Sequence, residues 1–253
     1  SGSAVITVVP RISVADVSLG SVCVGATISL PFTVAGTFAT AVTYSVQLSD
    51  ATGSFTAPRV LATGTGSPLT ISIPTTVTAG TGYRLRVVAS SAASSLISPA
   101  FTVKARPTAT LSGSSLVNFG EKTSLTLNLT GESPWTYTLS DGSTGTAPQT
   151  PFAVSITPTQ TATYVVSSVR NACGEGSTSG SAQVTVIPRL LTETPGTAIC
   201  SGKDIEVKFT VGGVLTGTTG FQAQLSDSTG SFTNPILIGT GTINEGVVLL
   251  FET

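Results

Sequence analysis

Apolar residues fall at every second position over short stretches along most of the chain. Ile28, Leu30, Phe32 and Val34 share one side of an extended segment, and so do Tyr44, Val46 and Leu48. Tyr83, Leu85 and Val87 follow, with Arg84 and Arg86 on the opposite side. Further on, Leu125, Leu127 and Leu129 alternate with Thr126 and Asn128, Trp135, Tyr137 and Leu139 repeat the pattern, and Val184 and Val186 close it. A period of two is the signature of a half-buried strand, because successive side chains of a strand point to opposite faces. No window places apolar residues at the i, i+3, i+4, i+7 spacing of a helix. Gly, Pro, Ser and Thr fill the gaps between stretches. Short strands between such turns predict an all-β chain of antiparallel sandwiches, about seven strands in about 85–95 residues each.

The pattern repeats. Cys23 to Gly64 aligns without a gap on Cys200 to Gly241 at an offset of 177, with 19 of 42 positions identical. The densest block is Gln47-Leu48-Ser49-Asp50 and Thr52-Gly53-Ser54-Phe55-Thr56, against Gln224-Leu225-Ser226-Asp227 and Thr229-Gly230-Ser231-Phe232-Thr233. The opening Ser1 to Ile12 reads like Ser179 to Leu190 at an offset of 178. Between the copies lies a segment of another kind. The expected order is the last strand of a type-B unit (1–10), a type-A sandwich (11–104), a type-B sandwich (105–188) and part of a second type-A sandwich (189–253). Segments 1–10 and 189–253 are expected to pair with strands outside these residues, as pieces of a longer array.

Composition removes several classes of function. The chain has no His, which excludes His metal ligands, His general bases and nucleophiles that depend on one. Net charge is −1 with only 11 Lys and Arg, so there is no electrostatic footprint for nucleic acid. No apolar run reaches the eighteen residues of a membrane-spanning helix, and no membrane insertion is expected. Ser and Thr supply 77 of 253 residues, an outer surface built from hydroxyls rather than charges. Asp50, Asp141 and Asp227 sit in turn sequences without the converging carboxylates that calcium needs. They read as turn formers, with Gly53, Gly142 and Gly230 supplying positive φ. No acid pair carries a hydrolytic motif. The chain is read as a non-enzyme without a cofactor or metal.

Two groups of residues carry a family resemblance. One is Cys23-Val24-Gly25, Tyr44 to Asp50 and Gly82-Tyr83-Arg84-Leu85-Arg86-Val87-Val88. The other is Pro134 to Gly142, Thr161-Ala162-Thr163-Tyr164 and Asn171-Ala172-Cys173-Gly174. The first resembles the fibronectin type III-like or immunoglobulin-like repeats of very large secreted surface proteins of Bacteroidota, and the second resembles a second immunoglobulin-like repeat found in the same proteins. The resemblance implies export by the type IX route and a role in adhesins, filaments or gliding structures at the cell surface.

Three cysteines remain to be paired. In a head-to-tail string, the turn after the first strand of one sandwich meets the last hairpin of the next. That places Cys23 against Cys173 and predicts a bridge between them, with Cys200 paired beyond Thr253. A Cys173–Cys200 bridge would have to span a domain, roughly 30 Å for a nine-residue strand, and free thiols are the other alternative. Tyr83 and Tyr164 are expected as corner tyrosines, and Trp135 as a core residue rather than a sugar platform.

The expected function is therefore structural: a stalk segment of a large secreted bacterial adhesin or extracellular filament. Its partners are neighbouring repeats of the same chain, other copies in a bundle, or a surface glycan or protein receptor. One rival reading is a multivalent glycan- or protein-binding module. The other is a set of spacer domains in a secreted hydrolase.

Overall fold

The computed structural model describes residues 9–14, 19–38, 40–91, 95–193, 205–215, 219–243 and 249–251, and every regular element among them is a β-strand. The strands form tandem β-sandwiches with immunoglobulin-like architecture.

In the first sandwich, Tyr44–Leu48 lies between Arg59–Gly64 and Leu85–Ala89, antiparallel to both. Phe101–Lys104 runs between Ser21–Cys23, parallel to it, and Gly80–Tyr83. Thr27–Leu30 pairs with Leu69–Ser72, and Arg11–Val14 with Phe32–Ala35. Their inward side chains meet in one core that includes Ile12, Leu30, Val46, Leu48, Ile71 and Leu85. In the second sandwich, a four-stranded sheet runs Phe152–Ile156, Thr123–Thr130, Thr108–Ser112, Ser177–Gly180. A second runs Thr144–Ala147, Trp135–Leu139, Val166–Asn171, Gly174–Glu175. Ser115–Asn118, Ala182–Ile187 and Ala162–Tyr164 form a third. The alternation read from the sequence is literal here: Leu125, Leu127 and Leu129 are buried, and Thr126 and Asn128 exposed. The second core is separate from the first and includes Leu111, Leu125, Leu127, Trp135, Leu139 and Val169.

The third segment repeats the first in detail. Arg189–Thr192 pairs with Phe209–Gly212 as Arg11–Val14 pairs with Phe32–Ala35. The ladder of Thr219–Leu225 with Ile236–Ile243 shifts register between Ala223 and Gln224, and its counterpart shifts at the equivalent Val46 and Gln47. Leu48 is 1% exposed and pairs with Leu85 of the Leu85–Ala89 strand.

Three local expectations need correction. Ile28 to Val34 is two strands in two sheets, not one continuous face, and Val34 is 36% exposed. Pro31 has no N–H for the ladder, so the chain changes sheets there. Tyr83 and Leu85 are likewise in different sheets, divided at Arg84, and Tyr164 and Val166 divide at Val165. The Asp and Gly of Ser49 to Gly53 lead one to expect a tight hairpin connection, but the loop is longer, because strand pairing resumes only at Arg59. The four-residue connection Ser140–Ser143 is the tight one.

Candidate functional site: the junctions between repeats

The contacts between sandwiches are built by short side chains and backbone at the ends of strands. Ser21–Cys23 ends at the turn that leads to Thr27, and Gly25 holds that turn with φ +82°. Asn171 and Gly174 pair across the hairpin whose tip is Ala172-Cys173, and the Asn171 carboxamide oxygen accepts from the Cys173 N–H at 2.9 Å. A disulfide joins Cys23 to Cys173 with Cα atoms 5.4 Å apart, across 150 residues of sequence. Both cysteines are partly buried. Cys200 lies outside the described residues.

The linker reinforces this junction. Cys23 is aligned with Lys104, and the Val24 N–H donates to the Lys104 carbonyl at 2.9 Å. Lys104 Nζ meets Glu132 Oε2 at 2.6 Å, an ion pair between the two sandwiches. It is exposed enough to contribute only about 0–1 kcal/mol. Arg106 lies over the Gly25 turn, where an added Cβ would meet its Nη2 at 3.1 Å, and its Nη1 donates to the Glu175 carbonyl at 3.5 Å. Asn171 Nδ2 donates to the Glu132 carbonyl at 3.1 Å. Gly176 has no room for a side chain, because a Cβ there would overlap the Pro107 carbonyl. The contacts of Lys104, Arg106 and Pro107 carry no signal in the sequence, since each depends on where a linker residue lands.

The next junction is built differently. The Phe119 ring packs against the backbone of Gly212, and Gly213, with φ +93°, brings its backbone against Pro188, whose Cα lies 3.3 Å from the position of an added Cβ. Gly36 repeats this against Pro10 at the same distance. The Phe119 N–H donates to the Ile187 carbonyl at 2.9 Å. Glu121 is held below the usual carboxylate range by Asn118, with the nearby Arg189 charge contributing.

The residues singled out from the sequence take up structural positions. Asp50 Oδ1 accepts from the Thr52 N–H, the Thr52 hydroxyl and the Ser54 N–H, which lowers its pKa, the Thr52 hydroxyl most of all. Asp227 repeats the arrangement with Thr229 and Ser231. Gly53 and Gly230 complete these turns with φ +85° and +80°. Tyr83 is buried and its hydroxyl donates to the Thr78 carbonyl at 2.8 Å. Tyr164 differs: its ring is buried, and burial together with the Asp141 carboxylate pushes its phenol up. Trp135 is buried, and its Nε1 donates to the Thr130 carbonyl at 2.8 Å. Among the described residues no three His, Cys, Asp or Glu come together as metal ligands, and no helix is long and apolar enough to cross a membrane.

No protein-family model and no curated protein matches the sequence. The solved structures it is similar to include the three N-terminal domains of the bacteriophage RB49 highly immunogenic outer capsid protein Hoc. That match has 15% identity and a TM-score of 0.32, and covers 96% of this chain and 86% of that one. They also include the N-terminal four Ig domains of Dscam1 isoform 4.44, at 16% identity and a TM-score of 0.30 over 71% of this chain. Dscam1 isoform 1.9 is similar at 16% identity and a TM-score of 0.28 over 66% of this chain. The chain spans less than half the length of either Dscam1 structure, 47% and 42%.

Proposed function

We propose that the chain is a section of an extended array of immunoglobulin-like sandwiches that serves as a structural stalk. Its units are 11–104, 105–188 and the portion from 189 onward, preceded by the tail of another unit at 1–10. The observation that carries the reading is the Cys23–Cys173 bridge, which spends both cysteines on the contact between units rather than on either core. A disulfide of this kind persists in oxidising compartments, which supports an extracellular location. The setting implied by the sequence resemblance is a large surface adhesin or filament of Bacteroidota exported by the type IX route.

The surface favours this reading over a binding module. A glycan groove would present aromatics at equivalent places in each copy. Trp135, Tyr83 and Tyr164 are buried instead, and the Phe55 ring is covered by Arg86, whose guanidinium carbon lies 4.5 Å from the ring centroid.

Small-angle X-ray scattering of the non-reduced chain tests the proposal. Three units in line, at roughly 30 Å each, predict a longest dimension of about 90 Å or more. A radius of gyration near the roughly 18 Å of a single globule of 253 residues overturns it.

A further inference from the structure

We infer that the Cys23–Cys173 bridge is a covalent bypass: it takes residues 24–172, most of both sandwiches, out of the path along which tension travels through the chain. The inference deepens the stalk reading and concerns how such a stalk bears force.

Topology carries the argument. Tension entering from the N-terminal side reaches the first sandwich at Arg11–Val14 and runs to Ser21–Cys23. At Cys23 it has two routes. One is the main chain through 24–172. The other is the bridge, which crosses to Cys173 in a Cα–Cα distance of 5.4 Å. The bridge is far shorter, so it becomes taut first. From Cys173 tension continues through Gly174–Glu175, Ser177–Gly180 and Ala182–Ile187 to the third segment. The force therefore passes along the opening strands of one sandwich and the closing strands of the next.

Almost everything else hangs from that line as a closed loop. Apart from Ile12, every buried residue of the first core among the described residues lies within 24–172. In the second core only Ala182, Val184 and Val186 lie outside it. Unfolding either sandwich under tension then releases little length, because the chain it frees sits inside the loop.

With the bridge open, force must leave the first sandwich through Lys104 and enter the second at Thr108. Three short parallel ladders then resist in shear. Ser21–Cys23 slides along Thr102–Lys104, Thr108–Leu111 along Ser177–Gly180, and Ser115–Asn118 along Ala182–Ile187. Once they part, the 150-residue separation adds about 500 Å of extended chain. A dithiol opens the bridge by two exchange steps. It becomes a cyclic disulfide and leaves two cysteine thiols, so electrons and protons balance. The bridge thus withholds the length of residues 24–172 when oxidised and releases it when reduced.

Single-molecule force spectroscopy on the full chain, held at residues 1 and 253, tests this. Each molecule is pulled to full extension without reductant, then held at force while dithiothreitol is added. The expected result is a final length about 500 Å short of the full contour, followed by a gain of about 500 Å on reduction. Cys173→Ser is expected to reach the longer length in the first pull. If that variant does not fold, the oxidised wild-type chain still gives the reading. Full contour length in the oxidised chain, or no gain on reduction, overturns the bypass. Scattering that still shows an elongated particle would leave the stalk reading standing, so the two fail separately.

Discussion

One carboxylate oxygen organises each of the repeated loops. Asp50 Oδ1 accepts three hydrogen bonds, two from Thr52 and one from Ser54, and Asp227 Oδ1 accepts the same three from Thr229 and Ser231. These bonds favour the charged form, so both pKa values lie below the ordinary carboxylate value. The sign follows from linkage: a lowered folded pKa contributes stability that is present above the unfolded value and lost as pH falls through the folded one. The loops should therefore stay formed through the ordinary carboxylate range and loosen only in stronger acid. NMR titration of the Thr52, Ser54, Thr229 and Ser231 amides checks this, and midpoints at or above the ordinary value contradict it. These residues were legible in the sequence because an Asx turn is local. What could not be read was the length of the loop around Asp50, since Arg59 sets it by finding its place beside Leu48.

At the scale of the element, strands switch sheets where the chain cannot continue a ladder. Pro31 does this for want of an N–H, and the freed Phe32 N–H finds the Ser67 hydroxyl at 2.8 Å. The edge of Leu85–Ala89 is closed by a device that alternation does not encode. The Ser95 and Ser98 N–H groups donate to Val87 and Leu85 carbonyls at 2.8 and 2.9 Å. Their hydroxyls in turn accept from the Val87 and Leu85 N–H groups at 2.9 Å each. Two serines thus stand where a strand would, and both are buried. An edge blocked in this way offers no template for pairing with another chain. Ser98→Ala strands the buried Leu85 N–H and should cost about 1–3 kcal/mol in denaturant unfolding. An unchanged midpoint would mean that another acceptor replaces it. In the sequence, Ser95 and Ser98 are two more serines in a serine-rich run, and nothing local distinguishes them.

At the scale of the whole molecule, the two junctions differ in kind. One combines a disulfide with the Lys104–Glu132 pair, and the other packs Phe119 on glycine backbone. A bridge closing a 150-residue loop restricts the unfolded chain strongly. Cys173→Ser should lower stability by about 2–5 kcal/mol in chemical denaturation, and a loss under 1 kcal/mol would show that the unfolded chain is not restrained by the bridge. The sequence by itself determined the all-β class, the alternation of core and surface along each strand, the repeat near 177 residues and the turn chemistry of Asp50 and Asp227. All of these are set by contacts a few residues apart or by comparison of the chain with itself. Only the tertiary structure decided where strands leave one sheet for another, that the expected Cys23–Cys173 bridge forms rather than its alternatives, and which glycines must stay bare against Pro107, Pro188 and Phe119. Those depend on atoms far apart in sequence that reach contact distance only after each sandwich has closed on its own core.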